Sequence, residues 1–146
     1  MSNVLETRWT DIGDKLVALA ESVPEESYDY RPVPAVRSFA EQLRHVAFWN
    51  DYLRDTLRGD DADGAANELS PTDYPGRTEI LPALRESFEG VRAELAKGNG
   101  KRAPSTDEKR LDLAVSYVDH AAEHYGQLVV YARLCGVVPP ASLAGV

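Results

Sequence analysis

Cysteine is almost missing from this 146-residue chain: Cys135 is the one thiol, so no disulfide can close within it. Such usage agrees with a reducing compartment. Positive charge is also scarce, with 16 Lys and Arg against 24 Asp and Glu and a net charge of −8. A duplex-binding protein needs cationic side chains to displace counterions from phosphates, and no basic run exists here, so nucleic acid is excluded as an expected partner. The same deficit argues against an anionic membrane surface. Long apolar runs are absent too, none approaching the roughly 18 to 20 residues that span a bilayer. The opening segment, Met1 to Arg8, lacks the pattern of a signal peptide, and the expectation is a cytoplasmic protein. Alternating strand patterns, internal repeats and low-complexity tracts are likewise missing.

What is present is an ordinary soluble composition, 43% hydrophobic and 27% charged, over a length that suits one domain, 1–146. Helical periodicity dominates. Leu5, Trp9, Ile12, Leu16 and Leu19 mark a first helix that stops near Val23-Pro24. A proline-rich connector, Tyr30 to Pro34, leads to Ser38-Phe39-Ala40-Glu41, a capping-box pattern opening a second helix. Its stripe is Phe39, Leu43, Val46, Ala47, Leu53 and Leu57, interrupted by Asn50 and closed at Gly59.

From Gly59 to Arg77 the chain is rich in Asp, Gly, Pro and Ala without period, which reads as a long crossover. A third helix begins near Thr78 with Leu81, Leu84, Phe88, Val91 and Leu95 inward; Pro82 is expected to fall in its first turn, where amides are free. Gly98 to Pro104 breaks it, and Ser105-Thr106-Asp107-Glu108 opens the last helix with a second capping box. That helix carries Leu111, Ala114, Val115, Val118, Ala121, Ala122, Tyr125, Leu128, Val129 and Ala132 before Gly136 and Pro139-Pro140 end it. The expected fold is all-α, a four-helix bundle with a long crossover between helices two and three.

The three histidines are the residues with chemistry in them. His120 and His124, four apart on a helix, project from one face one turn apart, so both imidazoles can reach one ion. His45 lies on the flank of the second helix, where with Trp49 it can face the last helix across the core. A histidine at such a position is by itself more often solvated or hydrogen-bonded in the core, and spacing alone leaves both readings open. Three neutral imidazoles would suit zinc, nickel or iron, and would leave coordination positions open for a water or a substrate thiol.

Two segments carry a family likeness: Ser38-Phe39-Ala40-Glu41-Gln42-Leu43-Arg44-His45, and His120-Ala121-Ala122-Glu123-His124-Tyr125-Gly126-Gln127 continuing to Pro139-Pro140. Together they resemble the signature segments of the DinB-like superfamily. The resemblance implies an up-down-down-up order of the four helices, a histidine triad of His45, His120 and His124 on zinc or nickel, and a homodimer. It also implies a range of activities. Some relatives are S-transferases using a low-molecular-weight thiol, some are hydrolases or isomerases, and many have no assigned activity.

Around the triad, Gln127 and Trp49 are the candidate residues for binding a substrate or thiol, although Gln127 serves equally well as a bond to a neighbouring helix. Trp49, Tyr52, Tyr117 and Tyr131 can wall a small apolar pocket or simply fill the core. Glu123 reads as solvated, Glu41 as a cap, Gly126 as a point of close helix approach, Arg133 as a partner of the last carbonyls, and Cys135 as a buried small hydrophobe. No residue other than the metal site offers a nucleophile or general base. The readings that remain are a metal-dependent thiol S-transferase acting on a small electrophile, a metal-dependent hydrolase, and a non-catalytic dimeric metal-binding module.

Overall fold

The structure, a computed structural model, describes residues 4–97 and 107–143. Among them there is no strand. Four long helices, α1 (Val4–Ser22), α2 (Phe39–Arg58), α3 (Arg77–Ala96) and α4 (Asp107–Leu134), form a helical bundle, and a short α5 (Pro140–Leu143) that sequence reasoning did not anticipate packs against α1. No described helix is long and apolar enough to cross a membrane. The expected breaker at Gly98–Pro104 and the opening pair Ser105–Thr106 lie outside the described residues.

Local chemistry sets the boundaries. Ser38 Oγ accepts from Glu41 N at 3.2 Å and Glu41 Oε2 accepts from Ser38 N at 2.8 Å, so α2 starts with two otherwise orphaned amides satisfied. At its other end Gly59 takes φ +83, the left-handed conformation that costs an L residue most. Gly136 ends α4 in the same way, and Val137 N reaches back to Ala132 O at 2.9 Å. Pro82 sits at the sixth residue of α3, beyond the first turn, which corrects the expectation that free amides accommodate it. It is tolerated because Pro82 and Thr78, whose carbonyl loses its i→i+4 partner, both face solvent.

The core draws Trp9, Leu16 and Leu19 from α1, Phe39, Leu43 and Leu53 from α2, Ile80, Leu84 and Val91 from α3, and Ala121 and Leu128 from α4. Several polar groups are paired across helices. Trp9 Nε1 donates to Phe88 O at 2.9 Å, Asn50 Nδ2 to Ser87 Oγ at 3.1 Å, and Arg58 pairs with Glu94 at 2.6 Å. Asn50, which broke the apolar stripe in the sequence, is therefore a link between α2 and α3. Buried Arg110 of α4 donates to Leu57 O and Glu94 O, the C-terminal carbonyls of α2 and α3, where a cation complements both helix dipoles.

The apolar stripe read on the last helix divides into two. Ala114, Ala121, Leu128 and Ala132 are buried against the bundle. Leu111 and Val115 remain 52% and 45% exposed, and Ala122 is also exposed, on a face about 100° away by helical geometry. A Cβ built at Gly126, on that same face, would meet nothing within 4 Å, so among the described residues no helix approaches closely there and the expected role of Gly126 within the bundle is not seen.

Candidate metal centre

His45 enters the bundle from the second turn of α2, and His120 and His124 from the middle of α4, with the crossover between α2 and α3 folded over them. The side chains meet. His45 Nε2 and His120 Nε2 are 3.2 Å apart, and one ligand atom from each of the three histidines lies within 4.8 Å of the others. Two nitrogens bound to one ion at about 2.0–2.1 Å and separated by that shorter distance would subtend an angle of about 100°, near tetrahedral.

Outer partners fix two of the rings. His45 Nδ1 lies 2.6 Å from Asn67 O, and a carbonyl only accepts, so Nδ1 carries the proton and Nε2 keeps its lone pair. Asn67 is held at φ +62, a left-handed conformation that asparagine tolerates better than most residues. Its side-chain oxygen accepts from Trp49 Nε1 at 2.9 Å, so one loop residue orients both the histidine and the tryptophan. On the other side His124 Nδ1 donates to Gln42 Oε1 at 2.5 Å, and Gln42 Nε2 donates onward to Gln127 Oε1 at 2.7 Å. Tethering the outer nitrogen to an oxygen acceptor while the inner one faces the cavity is the arrangement that ligating histidines use.

His120 differs. Its Nδ1 is buried without a hydrogen-bond partner, while its Nε2 faces His45 Nε2. Leaving a buried polar atom unpaired costs about 1–3 kcal/mol. His120 therefore lacks the outer acceptor that holds the other two rings, and its place in the group rests on its Nε2 lying beside His45 Nε2. The donor set is three imidazoles, with no described cysteine or carboxylate joining the group. These residues fit zinc, nickel or iron(II), and do not fit calcium or magnesium, which need oxygen ligands.

Electrostatics keep the rings neutral. Burial, reinforced by His45 and Arg37, pushes His120 down to about 4, and burial with the neighbouring His120, His45 and Arg37 pushes His124 down to about 3. His45 is lowered by burial as well, against a rise from its bond to Asn67. At neutral pH all three imidazoles are unprotonated and able to ligate.

Aromatic rings close one side of the site. Trp49 lies 6.3 Å from His45, 5.0 Å from Tyr52 and 6.5 Å from Tyr117, and Tyr117 lies 6.0 Å from His120, all between ring centroids. Gly64 of the crossover seats against this wall, where a Cβ would come within 2.8 Å of Trp49 Cη2. Tyr131 stands apart from it, on the far side of Gln42, donating its hydroxyl to Arg37 O at 2.9 Å and packing on Tyr30.

Of the residues named from sequence, the three histidines converge. Trp49 lies beside them and Gln127 is one hydrogen bond removed, joined through Gln42. Glu123 is exposed, Glu41 caps α2 and pairs with Arg31, and Arg133 bonds Ser142 Oγ rather than a helix carbonyl. Cys135 is only half-buried, against the expectation of burial, just beyond the last residue of α4. Three contributors were missed. Gln42 lay inside the first signature segment with no signal to separate it from a surface glutamine. Asn67 acts through its backbone, which no side-chain pattern reveals. Arg37 lies between the connector and the Ser38 cap and belongs to no motif.

The DinB superfamily matches residues 8–128 of the chain. Among solved structures, the crystal structure of a DinB-like protein of Bacillus subtilis, YjoA, is similar in fold, with a TM-score of 0.68 at 20% identity over 92% of this chain and 93% of that one. No curated protein matches.

The depressed histidines make the metal-free protein sensitive to acid. Their folded values lie below the ordinary value of about 6.5, so between those limits the unfolded chain binds protons that the folded one refuses. This stabilisation is complete above pH 6.5 and is lost as pH falls toward 4. Denaturant titrations at pH 7 and pH 5 should show stability dropping by up to about 1.4 kcal/mol per pH unit for each histidine held neutral. His124→Leu should show a shallower drop than wild type; equal slopes would contradict the assignment.

Proposed function

The chain belongs to the DinB superfamily, and on that premise we propose that it is a metal-dependent S-transferase that joins a low-molecular-weight thiol to a small electrophile. The observation that supports this most strongly is the incomplete ligand set. Three imidazoles converge and no fourth protein ligand accompanies them among the described residues, whereas a structural zinc site fills all four positions with protein. A zinc, nickel or iron ion held there would act as a Lewis acid, lowering the pKa of a thiol that reached its open position.

The chain's own residues supply position and exclusion. Asn67 O and Gln42 Oε1 hold two imidazoles in the ligating tautomer, and Trp49, Tyr52 and Tyr117 offer an apolar wall on which an electrophile can lie while water is kept out. In the reaction a C–S bond forms, the bond to the leaving group breaks, and the thiol proton passes to solvent. The up-down-down-up order of the helices fits the pairings of Asn50 with Ser87 and Arg58 with Glu94 between α2 and α3, and of Gln42 with Gln127 between α2 and α4.

Zinc- or nickel-loaded protein should hold about one ion per chain and consume glutathione, bacillithiol or mycothiol with a chloronitroarene, forming a thioether. His124→Ala should lose the ion and slow the reaction by about two orders of magnitude or more. Release of the leaving group without thiol consumption would instead mark a hydrolase, and a variant that kept both metal and rate would contradict the reading.

A specific observation also supports a homodimer. The outer face of α4 presents Leu111, Val115 and Ala122, with partly buried Val118 and Val129 on its flank, and Gly126 leaves room for another backbone. We propose that a second copy covers this face, since two identical stripes related by a two-fold axis are self-complementary. Light scattering should give a dimer for the wild type and a monomer of unchanged metal content for Val115→Asp/Ala122→Glu. A dimeric variant would contradict this interface.

A further inference from the structure

Beside the histidines, on the side away from the aromatic wall, a cleft of about 760 Å³ lies between the proline-rich connector and α4. Its apolar lining includes Val33, Val36, Val130 and Tyr131. Its charges are unusual for this chain. In a protein of net charge −8, the lining contains two arginines, Arg31 and Arg37, and no aspartate or glutamate. The groove between α1 and α3, by contrast, is lined by Asp14, Glu21 and Glu89 together with its two arginines.

The two cleft arginines are not equivalent. Arg31 is committed, donating to Val36 O and pairing with Glu41 at 2.8 Å just outside the lining. Arg37 has no acceptor: its guanidinium makes no hydrogen bond or ion pair among the described residues, and its backbone is pinned by Tyr131 Oη at 2.9 Å. Gln127 presents a second donor group, because its oxygen is occupied by Gln42 Nε2 and its amide nitrogen makes no bond within the described residues. The half-buried Arg37 guanidinium and the exposed Gln127 amide N–H₂, both without an acceptor among the described residues, can together receive an anion.

We propose that this cleft is a carboxylate subsite, with Arg37 gripping the carboxylate of a small molecule and Gln127 adding a hydrogen bond, one residue away from the metal centre through Gln42. The proposal rests on the transferase reading only for what the bound molecule does next. Carboxylate is favoured over phosphate for two reasons. One free guanidinium matches a single planar carboxylate in a bidentate pair. A phosphate would call for further cations or free backbone amides, and the amides at the start of α2 are already taken, those of Ser38 and Glu41 by the capping box and those of Phe39 and Ala40 by Tyr30 O and Tyr28 O. The charge of Arg37 reaches all three histidines, which places the subsite in electrostatic contact with the site. Either the thiol or its electrophilic partner can carry the carboxylate.

Benzoate and its neutral isostere benzamide provide the probe, titrated calorimetrically into zinc-loaded protein and into metal-free His124→Ala. Benzoate should bind at least tenfold more tightly than benzamide in both, since the grip is on Arg37 and not on the ion. Arg37→Gln should abolish the preference and Arg37→Lys should recover part of it, with zinc content unchanged in each. Displacement of benzoate by 3-mercaptopropionate at concentrations where 1-propanethiol is inert would show that the subsite accepts a thiol-bearing carboxylate; displacement by succinate alone would assign it to the electrophile. Equal binding of benzoate and benzamide would overturn the proposal, as would benzoate binding that needs zinc and survives Arg37→Gln, or failure of both carboxylates to displace. Absence of zinc from the wild type with benzoate still bound would overturn the metal reading alone.

Discussion

His45, His120 and His124 share one buried space, and burial there favours their neutral form. A proton on any one of them would be both desolvated and repelled by Arg37, so burial and charge act in the same direction. Neutrality gives each ring one lone pair. For His45 and His124 an oxygen acceptor already claims the N–H, which leaves the lone pair directed inward. The neutrality that burial imposes on the cluster is what makes it competent to ligate a metal.

The surrounding fold serves that condition. The α2 capping box sets where the helix begins, and therefore the turn on which Gln42 and His45 sit. Arg110 ties α4 to the ends of α2 and α3, and so helps place the α4 histidines opposite His45. The crossover does more than connect two helices: Asn67 supplies the carbonyl that fixes His45, and Gly64 packs against Trp49. A segment without period in the sequence thus becomes part of the site.

Much of this arrangement is legible in the amino-acid sequence. Apolar spacing locates the four long helices, the Ser38 and Gly59 signals locate the ends of α2, and the spacing of His120 and His124 places both on one face. Joining His45 to that pair needs the family resemblance, because spacing within a helix says nothing of which helix lies across the core. Three features stay hidden for a physical reason. Asn67 acts through a backbone carbonyl, Gln42 through a hydrogen bond spanning 82 residues, and Arg37 through the absence of a partner. None of these leaves a mark in residue type. The last helix misleads in another way, since its apolar stripe is wider than the bundle can cover and reads as one face until burial divides it.

X-ray absorption spectroscopy at the metal edge tests the central claim most directly. Protein loaded with zinc or nickel should show three imidazole nitrogens at about 2.0–2.1 Å, with their outer-shell scattering, and one further light-atom ligand that a small thiol replaces with sulfur at about 2.3 Å. A shell of oxygens with no imidazole scattering, or a first shell unchanged when His45, His120 and His124 are all replaced, would contradict the account.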